Sequence, residues 1–513
     1  MSASRRTILQ AALAGLGAPA LIGRAWAAPG GEPLPVPPLL DADAAGITTL
    51  TAIETSHRFV DGRASPTRGF DQPFLGPVLR LRRGSTARID VRNRLDEVLT
   101  VHWHGLHVPG DVDGGPHQEI APGGRWSVAL EIEQHASTAW YHSHVHGRTG
   151  PHVNAGLAGL LIVDDPAAAG LPSRWGVDDL PLIMQDRRLG SDGRLVYSNT
   201  GPALMAGFRG DFMLVNGAHR PLARVPSALV RLRLLNGCNA RTLELRFEDG
   251  RPMQQIASDA GLFAVPVART SLALASGERA EVLVDFAASG RSARLLSAAD
   301  RNSPMGRMMG GGMGGGMGMI DPPAVAADGA FEVLGFEVDA TLPAGLRTLP
   351  ERIVGAAPLP DFGEPVRRRR FVLDGHMGMM GGGMGRMGRG MGQGMGGMGG
   401  GGMMGGMSIN GRAFEMHRID ERVRRGDTEI WQVVTSDMAH PFHVHGTAFQ
   451  VLSRNGRRLP FAELGWKDTL LVDGEAELLL RFAHRASERT PYMFHCHILE
   501  HEDAGMMGQF TVA

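Results

Sequence analysis

Beyond residue 38, short apolar runs alternate with polar residues, and each run is closed by Gly, Pro, Asn or Asp. Val78-Leu79-Arg80-Leu81, Thr86-Ala87-Arg88-Ile89-Asp90-Val91, Leu157 to Val163, Val230-Arg231-Leu232-Arg233-Leu234 and Glu281-Val282-Leu283-Val284-Asp285-Phe286 are examples. A period of two sends successive side chains to opposite faces of an extended chain, so this pattern predicts antiparallel strands packed as β-sandwiches. Long helical periodicity is scarce. At about 150 residues per domain, a chain of 513 residues predicts three units, each long enough for its own core. The Pro, Ala and Gly clusters near Asp165 and Thr341 divide it into 45–165, 166–340 and 341–513, after a Pro-rich linker from Gly31 to Pro38.

Two tracts break the alternation. One carries Met305, Met308, Met309, Met313, Met317 and Met319 among glycines, and the other runs from His376 to Met407. In the second, Met377, Met380, Met384, Met387, Met391, Met395 and Met398 recur every three or four residues, which in a helix places their sulfurs on one face. About half of that tract is glycine, and each glycine costs about 1 kcal/mol relative to alanine in a helix. Such a helix needs docking or a ligand to form.

At the start of the chain, Ser4-Arg5-Arg6-Thr7-Ile8-Leu9-Gln10 precedes an apolar run from Ala11 to Ile22 and the small-residue site Ala25-Trp26-Ala27. Paired arginines ahead of so short an apolar run predict a twin-arginine export signal over residues 1–27, handled by the Tat machinery, and a periplasmic protein. Fifty-two basic against 53 acidic side chains argue against nucleic acid or an anionic membrane as partner. Cys238 and Cys496 are the only cysteines, too few for a disulfide framework.

Four histidine clusters carry the chemistry: His102-Trp103-His104, His142-Ser143-His144, His440-Pro441-Phe442-His443-Val444-His445, and His495-Cys496-His497 followed by His501 and Met506. On a strand, residues two apart share a face, so each His-x-His pair offers two imidazoles to one place. The pairs lie near opposite ends of the chain, so a common centre requires the first and last domains to meet. Cys496 would point away from His495 and His497, so a metal on its thiolate would be wired covalently to the imidazole pair. His440, Cys496, His501 and Met506 supply the two imidazoles, thiolate and weak thioether of a blue-copper site. Structural zinc sites more usually collect several cysteines.

With these motifs and the Met-rich insertion, the chain resembles the three-domain, laccase-like multicopper oxidases, and most of all the bacterial periplasmic copper-efflux (cuprous) oxidases. The resemblance implies an all-β fold of three cupredoxin-like Greek-key sandwiches and four coppers per chain. His440, Cys496 and His501 would hold type 1 copper with Met506 axial, and His102 and His443 type 2 copper. His104, His142, His144, His445, His495 and His497 would hold the type 3 pair. Met507 adjoins Met506, and family spacing favours Met506. All ten histidines and the cysteine are present, so copper-free members of this fold are a poor match.

By the same resemblance, electrons enter singly at type 1 copper, cross Cys496 to His495 and His497, and reduce dioxygen to water four at a time. Asp113 and Glu502 match the family's proton-relay carboxylates; their plainer reading is a turn cap and an outer hydrogen bonder. The expected reductant is Cu(I), since thioether sulfur is soft. Asp437, Met438, Met377, Met380 and Met384 are candidates for holding it, although the family's acid aligns nearer Ser436 than Asp437. Two alternatives stand beside this expectation: a laccase acting on phenols or aromatic amines, and a Met-rich protein that sequesters copper. The chain is expected to act as a monomer.

His107, His117, His135, His146, His152 and His417 read as surface or supporting groups rather than ligands, and Cys238 as a small buried hydrophobe. The run Arg367 to Arg370 reads as a solvated edge before an apolar strand. Lys467 is the single lysine of the chain.

Overall fold

The computed structural model describes residues 31–42, 46–60, 63–288, 290–300, 330–358, 362–375, 407–435 and 438–513. The export signal, both methionine tracts short of Met407, and Asp437 lie outside the described residues. From Gly31 onward the chain is one compact unit built from three pairs of sheets.

The first pair comprises two four-stranded sheets, one carrying Val78–Arg82, Ala158–Asp164 and Ser137–His142, the other Thr48–His57, Thr86–Asn93 and Arg125–Glu131. The second packs a seven-stranded sheet centred on Asp179–Arg187 and Leu229–Asn236 against a five-stranded one. The third packs a six-stranded sheet containing Arg367–Gly375 and Thr428–Thr435 against a five-stranded sheet containing His440–Val444, Tyr492–Cys496 and Met507–Val512. Each sandwich encloses its own apolar cluster, since the inward faces of two stacked sheets interdigitate. Among the described residues no helix is long and apolar enough to cross a membrane.

Two readings of the sequence change. The sheets are mixed rather than purely antiparallel: Thr48–His57 runs parallel to Thr86–Asn93, and Arg367–Gly375 parallel to Thr428–Thr435. A Greek-key crossover returns a strand from the far sheet without reversing it, and alternation alone carries no sign of that direction. Leu39–Asp41, ahead of residue 45, already pairs with Val78–Arg82 in the first sandwich. Arg367–Arg370 pair with Thr428–Thr435 on one side only, and Arg367, Arg368 and Arg370 are exposed, as a solvated edge requires; half-buried Arg369 pairs with Glu429 and Glu421.

Strand Asp179–Arg187 is buried at every position and Leu229–Asn236 likewise, because neighbouring domains cover the second face. A separate apolar cluster joins Phe74, Trp140 and Ile162 of the first sandwich to Ile183, Leu214 and Leu235 of the second. The first and third sandwiches are joined by Tyr492, whose hydroxyl donates to the Val108 carbonyl, and by Asp503, which accepts from the Thr149 and Gly150 amides of helix Thr149–Ala155.

Candidate metal centre

Strand pairing brings the histidines together. The segments around His102 and His142 exchange backbone hydrogen bonds of 2.9 and 3.1 Å, and His443 lies directly opposite His495 in the third domain. Alternation then divides the third domain's ligands. Phe442, Val444 and Cys496 turn into its core, while His443, His445, His495 and His497 turn to the histidines of the first domain.

Eight imidazoles, none more than 1% exposed, meet there. His104, His142 and His497 form one triangle with ring centres 5.1 to 5.7 Å apart. His144, His445 and His495 form a second, at 5.0 to 5.4 Å. His102 and His443 remain as a pair 5.8 Å apart, each stacked on a ring of one triangle. Burial first, and then repulsion from neighbouring imidazoles, holds His142, His144, His445 and His497 well below the ordinary histidine pKa; burial also brings His443 to about 4. These rings are neutral near pH 7, the form that offers a lone pair to a metal.

Second nitrogens are anchored. His102 Nδ1 donates to the Asp113 carbonyl at 3.0 Å, His443 Nδ1 to that of Asp468 at 2.8 Å, and His497 Nδ1 meets Ser276 Oγ at 3.2 Å. The opposite atoms, Nε2 of His102, His443 and His497, are buried without a hydrogen-bond partner. Orphaned lone pairs among closely spaced, buried imidazoles fit bound metal ions, since an unpaired buried polar group is otherwise costly.

On the far face of strand Tyr492–Cys496, His440 Nδ1 lies 3.3 Å and His501 Nδ1 3.8 Å from Cys496 Sγ, all three residues fully buried. The Ile498 amide donates to the same sulfur at 3.4 Å, which favours a thiolate. Met506 is buried in the cluster that contains Cys496, whereas Met507 packs with Phe414 and Met493 in another. Two imidazoles, a sulfur and a nearby thioether match the preference of copper.

Both proposed relay acids touch ligands. Asp113 Oδ2 lies 2.8 Å from His445 Nδ1 and 3.4 Å from His102 Nδ1. Glu502 lies 3.4 Å from His144 Nδ1 and 3.2 Å from His495 Nδ1. Met438 is half-buried against the third-domain core, while Asp437, Met377, Met380 and Met384 fall outside the described residues. His152, set aside in the sequence, is fully buried and joins Ser143 Oγ at 2.7 Å to Glu97 at 3.3 Å. Sequence reasoning also missed Ser276, Asp468 and Thr469, whose Oγ1 lies 3.1 Å from both His104 Nε2 and His443 Nδ1; the solitary lysine beside Asp468 was the one available signal.

Comparison with known proteins agrees with this geometry. Two multicopper oxidase family models match residues 52–168 and 394–513. A laccase-like multi-copper oxidase, CueO, from Ochrobactrum sp. is 39% identical with a TM-score of 0.80, over 94% of this chain and 100% of that one. A Campylobacter jejuni multicopper oxidase described as a metallo-oxidase is 27% identical with a TM-score of 0.76, over 94% and 95%. Cell division protein FtsP of Dickeya dadantii (strain 3937) is 36% identical across 100% of this chain and 99% of its own length. The chain belongs to the multicopper oxidase family, and its buried histidine clusters resemble that family's copper sites. Curated relatives at 34–36% identity, FtsP of Escherichia coli (strain K12) among them, carry a cell-division name rather than the copper-efflux name expected from the motifs.

Proposed function

We propose that this protein is an exported copper oxidase that takes single electrons from Cu(I), forming Cu(II), and delivers four of them to dioxygen to give water, protecting the periplasm from copper. The observation that carries this reading is the convergence of ten histidines and one cysteine into two buried sites joined through His495-Cys496-His497. Copper held there would supply one-electron storage and dioxygen reduction. The chain's own residues keep imidazoles neutral, link the two sites along three consecutive residues, and set Asp113 and Glu502 beside ligands for proton delivery.

The reductant's side of the Cys496 site supports a small ion. His440 and His501 are both fully buried, and His501 Nε2 donates to the Met205 carbonyl at 3.3 Å. A phenol therefore meets no open imidazole edge. The Met205 side chain, 48% exposed, offers a soft sulfur on the same helix, Pro202–Ala206.

Oxygen uptake by copper-loaded protein tests the proposal. Cu(I) should drive uptake, removal of residues 376–407 should abolish Cu(I) turnover while sparing or raising phenol turnover, and Cys496→Ser should stop both. Indifference to Cu(I) with brisk phenol oxidation would favour the laccase reading, which the Ochrobactrum enzyme's described activity towards lignin model compounds supports. Impaired cell division on loss of the chain, with Cu(I) and phenol turnover both absent, would favour the reading suggested by the name of its FtsP relatives. Protection of cells that survives Cys496→Ser would mark sequestration instead.

A further inference from the structure

Five charged side chains from two domains form a buried knot against two of the clustered histidines. Asp468, 1% exposed, receives two hydrogen bonds from Arg279, the Nη1 bond at 2.7 Å. Arg279, fully buried, also donates to the carbonyls of Thr138, Gly277 and Asp259, so all five of its N–H groups are used. Asp259 accepts from the Arg279 amide at 2.7 Å and from Lys467 Nζ at 2.9 Å, and Lys467 reaches Glu278 at 2.9 Å. Residue 105 must be glycine: its φ is +91°, and a Cβ there would lie 2.5 Å from Arg279 Nη2 and 2.9 Å from Asp468 Oδ2.

Asp468 faces the histidines with two different acceptors. Its Oδ1 lies 3.2 Å from His104 Nε2, while its main-chain oxygen lies 2.8 Å from His443 Nδ1. Arg279 donates to both oxygens of this carboxylate and the Thr469 hydroxyl donates to Oδ1 at 2.9 Å, so Asp468 only accepts and Thr469 Oγ1, 3.1 Å from both His104 Nε2 and His443 Nδ1, is left to accept as well. His104 must then carry its proton on Nε2, leaving the Nδ1 lone pair facing His142 Nε2 at 3.4 Å, inside the first triangle. His443 must carry its proton on Nδ1, leaving its orphaned Nε2 for the centre. His104, His443 and Asp468 are close enough to hold an ion themselves, but the Arg279 guanidinium on Asp468 repels a second cation.

We propose that Asp468 is a positioning residue that imposes opposite tautomers on His104 and His443, and that Arg279, Asp259 and Lys467 make this depend on docking of the second domain, which supplies none of the histidine or cysteine ligands. The proposal rests on the copper reading only for its effect on the loaded enzyme, because the tautomers belong to the metal-free chain.

Long-range ¹H–¹⁵N spectra of the full-length metal-free protein at pH 7, assigned with His104→Gln and His443→Gln, should show Nε2–H at His104 and Nδ1–H at His443. The reverse tautomer at either ring overturns the proposal, and this measurement needs no variant at Asp468. In Asp468→Asn the His104 tautomer should become mixed. After copper loading, that variant should keep the blue absorption, which reports a folded third domain. Its type 2 paramagnetic signal should weaken or change hyperfine splitting, and kcat should fall about 10- to 100-fold, with the reductant KM unchanged. Wild-type signals and kcat in Asp468→Asn would also overturn it. If the wild-type chain binds no copper, the copper reading fails while the tautomers still decide this one.

Discussion

Cys496 offers its sulfur to His440 and His501 on one face of a strand, while its chain neighbours His495 and His497 serve the other face. Replacing it with serine should therefore remove the blue absorption and type 1 paramagnetic signal yet leave the type 2 signal, as recorded on copper-loaded protein. Met506 and Met507 make a sharper pair. Since only Met506 packs in the cluster of Cys496, Met506→Leu should move the reduction potential of the blue site and Met507→Leu should leave it in place, measured by redox titration. The ligands were legible in the sequence because each His-x-His or His-Cys-His group is local and strand alternation does the rest. Their supports were not: Ser276 and Asp468 reach ligands more than 20 residues away in the chain, and no local pattern marks such a contact.

At the scale of elements, the strands were readable from alternation, and several of the predicted runs coincide with observed strands, Val78–Arg82 and Arg279–Asp285 among them. Strand direction was not, because parallel and antiparallel neighbours bury the same faces. The arginine run shows a second blind spot at one position: Arg367, Arg368 and Arg370 stay exposed as read, but the Arg369 side chain is sheltered against Glu421 and Glu429, which are distant in sequence and neutralise it. The turn after His104 gives a test at this scale. Gly105→Ala puts a Cβ on a positive-φ residue against Arg279 and Asp468. Urea unfolding should register a loss of at least about 1–2 kcal/mol from the backbone conformation alone.

Across the whole molecule, charged contacts join the domains beside the metal centre. Glu281 of the second sandwich accepts from Thr138 of the first at 2.7 Å, from Arg231 at 2.7 Å and from Arg233 at 3.1 Å. Burial would raise its pKa, but Arg231 and Arg233 hold it at about 2, against 4.5 when unfolded. Its stabilising contribution is complete above pH 4.5 and is lost as pH falls toward 2, since the unfolded chain takes up the proton first. Denaturant titrations of wild type and Glu281→Gln between pH 7 and pH 3 should differ in acid slope, the wild type losing about 2 kcal/mol that the variant never had.

The burial of Lys467 has a practical corollary, because it is the one lysine in the sequence and its side chain is 7% exposed. Among the described residues, the folded surface therefore presents no side-chain amine to activated esters or aldehydes. Acylation at this position becomes a stopwatch for separation of the second and third domains. Mass spectrometry of the peptide bearing it should show slow modification in native buffer and rapid modification once denaturant parts them.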